Sequence, residues 1–197
     1  FVTEQYVELS PQASLSIKGF RAVHLNQTGQ KETIDAKEAE LFRKYGYTIL
    51  KDVSVRIISK ENDIIHITGA KGKYFTENKD IELFDDIVVT SESKGYELKT
   101  NYIRYEESKS LLWSDHALQL AGPNPQSPSL VVTGTGMKVN TKSQELDILS
   151  DVHCKKYDVN AESLEIDSTR VKVFMDRNEA LFNENVVVKQ KEMNIFT

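Results

Sequence analysis

Ile81-Glu82-Leu83-Phe84-Asp85-Asp86-Ile87-Val88-Val89 is the stretch that decides the fold. Ile81, Leu83, Ile87 and Val89 fall on one face at the two-residue spacing of a strand, and Asp85 interrupts them where a bulge would sit. The phrase at its centre, an acid or amide followed by a strand-forming run, returns along the chain. It reads Asp52-Val53-Ser54-Val55, Asp86-Ile87-Val88-Val89, Asp151-Val152-His153-Cys154 and Asn185-Val186-Val187-Val188. The steps from Val53 to Ile87 and from Val152 to Val186 are both 34 residues, and the gap between the two pairs is 65, close to two further periods. A degenerate copy belongs near Asp115-His116-Ala117-Leu118, with its register set by His116 or by Leu118.

Each copy is an alternating run, a polar turn and a second alternating run, which is a hairpin. The turns fall at Arg43-Lys44-Tyr45-Gly46, Glu77-Asn78-Lys79, Glu107-Ser108-Lys109, Thr141-Lys142-Ser143 and Asp176-Arg177-Asn178. The first copy places Ile49, Val53, Val55 and Ile57 inward, the fourth Leu146, Ile148, Val152 and Cys154, and the fifth Ala180, Phe182, Val186 and Val188. The opposite positions carry Asp52, Ser54, Arg56, Glu82, Asp147, Asp151 and Asn183, so the pattern is that of a sheet with one wet and one dry face. Residues 36–44 have fair helix propensity, but the repeat makes them a strand. Gly122 to Ser129 holds three of the four prolines and reads as a long excursion within one continuous structure.

Composition excludes several classes. A formal charge of -5 and a pI near 5.5 leave no basic face for nucleic acid and do not suit a polybasic membrane-surface protein. At 39% hydrophobic and 28% charged, the chain can bury a core and remain soluble. A single cysteine, Cys154, allows no internal disulfide, and no window reaches the length of an apolar membrane span.

Catalytic constellations are absent from the pattern. His24, His66, His116 and His153 show no ligand spacing, so no metal site is expected. Ser114-Asp115-His116 carries the letters of a triad, but neighbours in a strand point to opposite faces. Gly134-Thr135-Gly136-Met137-Lys138 lacks the spacing of a phosphate loop, and glycine inside a strand marks a bulge or a close backbone approach. Asp85-Asp86 and Glu106-Glu107 have no evident partner for acid–base work, and the sequon Asn26-Gln27-Thr28 is a weak signal. The expectation is a protein that is not an enzyme and has no cofactor.

Ile17-Lys18-Gly19-Phe20, Gly29-Gln30-Lys31 and Ile34-Asp35-Ala36 with Ala39 resemble the opening of the LptC family of lipopolysaccharide-export proteins. Thr133-Gly134-Thr135-Gly136-Met137, Leu146 and Leu149-Ser150-Asp151-Val152 are similar to that family's closing repeat, so the likeness covers roughly residues 15 to 155. The tail, Ala161 to Asp167 and Ala180 to Val188, is similar to a repeat of the LptA family, with Glu184 in place of the glycine of that repeat's usual Gly-Asn-Val. The organisation expected from this is an N-terminal segment 1–14, an LptC-like jellyroll 15–157 and an LptA-like strand repeat 158–197 continuous with it.

The resemblance implies an all-β fold: repeated antiparallel hairpins forming a twisted, open-ended β-jellyroll. It implies lipopolysaccharide transport, with the lipid held in an apolar groove between sheets and passed from an inner-membrane lipopolysaccharide ABC transporter to an LptA-like bridge protein by strand pairing. The inward, lipid-binding positions are then Ile49, Val53, Val55, Ile81, Leu83, Ile87, Val89, Leu146, Ile148 and Val152. The docking edge is Asn185, Val186, Val187 and Val188. Phe42, Tyr74, Tyr102 and Met137 are candidates to narrow the groove, although such residues most often serve core packing. Head-to-tail self-association and a periplasmic location, with a membrane helix ahead of Phe1, complete the implication. Two other classes fit the residues alone: a structural bridge or adhesion module without cargo, and a polysaccharide-acting enzyme on a β solenoid. Lack of clustered carboxylates at one strand level speaks against the latter.

Overall fold

A computed structural model describes residues 13–25, 31–58, 63–143, 145–157, 162–174, 177 and 179–192. Most of the 1–14 segment, the sequon at 26–28, Gly29-Gln30 and positions 176 and 178 of the last turn lie outside the described residues. The chain is all-β. The strands are β1 (Leu15–Leu25), β2 (Lys31–Phe42), β3 (Tyr47–Ile58), β4 (Ile64–Phe75), β5 (Ile81–Ser91), β6 (Glu97–Glu106), β7 (Leu111–Gly122), β8 (Leu130–Asn140) and β9 (Glu145–Tyr157). They are followed by β10 (Glu162–Ser168), β11 (Arg170–Phe174), β12 (Glu179–Asn183) and β13 (Val187–Glu192). All pair antiparallel in one open sheet that runs from β1 to β9 in chain order. Residues 36–42 are strand, as the repeat requires, and the helical tendency survives only as a 3-10 turn at Arg43–Tyr45.

The sheet is folded along one line. Across the strands the ladder misses a step at the same level: at Gly19, at Asp52, between Thr68 and Lys71, between Phe84 and Ile87, between Ser114 and Ala117, and between Thr133 and Thr135. Here the repeated phrase has its physical meaning. Asp52, Asp86, Asp151 and Asn185 have φ of 50°, 51°, 54° and 52°, the left-handed region that Asp and Asn tolerate better than other residues with a Cβ. The acid or amide is the crease, and the apolar residue after it is the first inward side chain beyond.

In the last hairpin the crease severs the strands. β10 and β11 are one pass broken at Thr169, and both lie against β9; β12 and β13 are the next pass, broken at Glu184 to Val186. Thr169 N–H donates to the Glu184 carbonyl, and the Asn185 amide to the Thr169 hydroxyl, across this break.

The two limbs either side of the crease face one another. In one limb an inward row runs Ile17, Ala39, Leu50, Gly72, Leu83 and Ile103. In the other it runs Ala22, Ile34, Val55, Ile67, Val89, Leu98, Leu120, Val132, Cys154, Ile166 and Val188. Apart from the exposed Val188, both belong to a single core, which one sheet face can form only by packing on the other limb. Gly134 has the close approach expected of a strand glycine, since a Cβ there would stand 2.5 Å from Ile148 Cγ2.

One inward assignment is corrected. Ile49 was expected in the dry row, but Leu50 is there, at 0% exposure, and Ile49 is outside the core. It stands in an outer row between Glu40 and Lys73. The cause is the crease. In β3 two residues, Lys51 and Asp52, separate the buried Leu50 from Val53, where in β5 three, Phe84, Asp85 and Asp86, separate Leu83 from Ile87, and one residue fewer reverses every side chain before it. In the degenerate copy Leu118 is the buried anchor and His116 is exposed.

Candidate functional site: the inner face and its edges

Of the ten inward positions, Val53, Val55, Ile81, Leu83, Ile87, Leu146, Ile148 and Val152 are buried, and Val89 packs against the core half-buried. The crease brings them together by turning both limbs' dry faces to one interior. Sequence reasoning missed Leu50 and Ile103 as central members; both are nearly inaccessible, as is Met137, one of the large residues expected before the turns. Ile103 lay in the copy whose phrase is degenerate, so no anchor fixed its register. Of the large residues before the turns, Phe42 and Met137 are buried and Tyr74 packs on the core. Tyr102 stands on the wet face beside Phe84, Trp113 and His116.

A few polar groups enter the interior. Glu32 is buried, in a row with Ile57 and Ile65. Burial, with the charge of Glu32 and then of Glu107, pushes the Tyr105 phenol up to about 12, and Tyr74 is raised by the same three causes. Glu32 and these tyrosines lie on opposite limbs, so the two mouths of the fold meet there. The Thr100 hydroxyl donates to the Ala117 carbonyl at 2.9 Å, which satisfies it beside a bulge.

The sheet has unpaired edges. Among the described residues β1 pairs only with β2, β13 only with β10 and β12 only with β11. Asn185 to Val188 thus lie on an edge, with Val186, Val187 and Val188 exposed by 46%, 48% and 59%. Val188 closes the inner row after Cys154 and Ile166, and Val187 closes the outer row after His153 and Asp167. On that outer side the His153 ring lies 2.6 Å from the Asp167 carboxylate, and Lys189 approaches the same group at 3.5 Å. His153 first, and Lys189 with it, holds the Asp167 carboxyl below its usual range against the opposing effect of burial.

Among the described residues no group of three or more potential metal ligands converges, and no helix is long and apolar enough to cross a membrane.

The family model described as lipopolysaccharide-assembly, LptC-related, matches residues 3–158. No curated protein matches the chain by sequence. Among solved structures, one similar to this chain is LptH of Pseudomonas aeruginosa, described as the LptA-homologous periplasmic component of that organism's lipopolysaccharide transport device. The identity is 9%, the TM-score 0.50, and the likeness covers 66% of this chain and 94% of that one. At that identity the likeness concerns the fold, a twisted, open β-jellyroll. The matched length, four-fifths of the sequence and every strand from β1 to β9, places the chain in the LptC-related lipopolysaccharide-assembly family, with a role in lipopolysaccharide transport.

Proposed function

We propose that the chain is a non-catalytic carrier that holds the acyl chains of lipopolysaccharide between its two limbs and passes them on along its β12–β13 edge. The observation that carries this is the continuity of the inner face. The row from Ala22 to Val188 crosses the whole sheet and reaches both edges, where its last apolar side chain, Val188, stands exposed. A core that served only to hold the fold would need no apolar exit at an edge. Each acyl methylene moved from water onto such a surface gains about 0.8 kcal/mol.

Handover follows from direction. β1 and the β12–β13 pass both run from the same limb to the other. A β1-like strand that extends the sheet beyond β13 with its crease aligned therefore runs parallel to β13. The partner would be an LptA-like bridge protein or a second copy joined head to tail, and the donor an inner-membrane lipopolysaccharide ABC transporter. The setting is the periplasm, with a membrane helix ahead of Phe1. Residues 15–157 would form the carrier and 158–197 its docking repeat. Photocrosslinkers at Ile87 or Val152 should capture lipid, whereas those at outward Glu82 or Asp151 should not; equal capture at both pairs sinks the reading.

One observation favours a cargo-free structural bridge instead. Leu50, Leu83, Ile87 and Ile148 leave almost no accessible surface, so the limbs must part to admit a chain. Native mass spectra of the protein with and without added lipopolysaccharide separate the two readings.

A further inference from the structure

The wet face is charged beside the crease in the first four strands. Lys18, Glu38, Lys51 and Lys71 follow one another across β1 to β4 in one row. At β5 the same row turns aromatic: Lys71 is followed by Phe84 and then Tyr102. Tyr102 lies 5.4 Å from Phe84, 5.6 Å from Trp113 and 5.5 Å from His116, centroid to centroid. Phe84, Tyr102 and Trp113 are half-buried and His116 is exposed, so ring surface remains in contact with water. The rings are held in place. The Trp113 indole N–H donates to the Glu106 carboxylate at 2.8 Å, and His116 Nδ1 lies 2.8 Å from Asp115.

Beside the rings, the missed ladder steps of β5, β6 and β7 open a shallow hollow lined in part by Asp86, Lys99, Asn101 and Gln119. These side chains are exposed and offer two amides, a carboxylate and an ammonium. Aromatic surface flanked by a few convergent polar groups is the make-up of a small-ligand site. A pyranose ring matches both halves, with an apolar C–H face for the rings and hydroxyls for the amides and carboxylate. Asp86 and Asp115 outweigh Lys99, so an anionic sugar would be disfavoured.

We propose that this patch is a second binding site, for the hexose or N-acetylhexosamine units of a neutral glycan chain. It lies on the opposite face of the sheet from the apolar interior and does not depend on the carrier reading. The glycan comes either from the sugar part of lipopolysaccharide or from another polysaccharide of the envelope.

Trp113 is the single tryptophan, so the emission of the whole chain reports on the patch. Two probes are titrated: a neutral hexose oligosaccharide of the lipopolysaccharide outer core, free of phosphate and of acidic sugar, and chitotetraose. A saturable change with the first alone assigns the site to lipopolysaccharide sugars, with the second alone to another envelope glycan, and with both to hexose chains in general. Two variants follow. Asn101→Ala combined with Gln119→Ala removes exposed amides, which spares the fold, and Tyr102→Leu removes the central ring. A loss of about tenfold or more in affinity in either variant supports the site. No response to either probe at millimolar concentration, or undiminished binding in both variants, overturns it. Lipid capture at Ile87 is read separately, so failure here leaves the carrier reading intact, and the reverse.

Discussion

Asp52 and Asn185 hold the same left-handed backbone, φ 50° and 52°, on the same line of the sheet, although one lies near the beginning of the fold and the other at its last pass. The line is therefore a property of backbone conformation, and it should respond to residues that change the cost of φ > 0.

Glu184 is the clearest place to test this. It adopts φ 64° beside Asn185, where a side chain costs about 1–2 kcal/mol relative to glycine. Glu184→Gly removes that cost and loses roughly 0.5–1 kcal/mol to the greater freedom of the unfolded chain. The variant should gain up to about 1 kcal/mol, read as a higher urea midpoint at unchanged slope. Asp151→Val, with a β-branched residue at φ 54°, should lose stability by more than the glutamate change gains.

The face reversal in β3 makes a paired prediction. Leu50→Ala should cost about 2–5 kcal/mol because it empties a fully buried site. Ile49→Ala, on the outer row, should cost roughly 1 kcal/mol or less. Equal losses in thermal or urea unfolding would mean that the bulge does not flip the register.

Tyr105 gives a pH signature. Its folded pKa, raised to about 12 by burial and then by Glu32, exceeds that of the unfolded chain. Between about pH 10 and 12 the unfolded state loses a proton that the folded state keeps, so stability is full below pH 10 and declines as pH rises through that window. Tyr105→Phe should flatten the decline. Glu32→Gln should lower the tyrosinate midpoint followed by ultraviolet absorbance, because the opposite limb then presents a neutral amide; an unmoved midpoint would separate the limbs at that mouth.

Asp63 acts at the acid end. Burial pushes its carboxyl up, but donation from the Ser91 hydroxyl at 2.6 Å and the Ser93 N–H at 2.9 Å outweighs this and holds it below the usual range. Its contribution is present above the ordinary aspartate pKa of about 4 and is lost as pH falls through the lower folded value. Asp63→Asn should weaken the β4–β5 end at neutral pH and blunt the acid dependence, measured by amide exchange of Ser93.

Deleting residues 158–197 tests the docking repeat. The remaining passes keep Leu50, Leu83, Ile87 and Ile148, so the shortened chain should fold and still capture lipid. It should lose capture of an LptA-like partner. A folded deletion that binds the partner undiminished would place docking at the β1 edge.

Much of this was legible in sequence because period-two alternation and a repeated turn give strands directly. The 34-residue step from Val53 to Ile87 marked the crease phrase without revealing that its acid carries φ > 0. What escaped depends on counting residues within the crease. Ile49 and Leu50 are both apolar, and the number of residues that the crease takes up before Val53 decides which turns inward. Tyr102 was placed by its distance from a turn, which does not specify a face. The break of the last hairpin into β10/β11 and β12/β13 has no hydrophobic signal, since Val186 to Val188 read as one strand with what precedes them.

The meander also fixes a length. Its thirteen strands make eleven passes once the two broken ones are joined, and neighbouring strands stand about 4.8 Å apart. The interior path from β1 to β13 is thus about 50 Å, and each hairpin contributes about 10 Å of it. Because the end strands are the same whatever lies between them, the fold is a ruler whose graduations are hairpins. Removing one would shorten its reach by a set increment and leave both end strands unchanged.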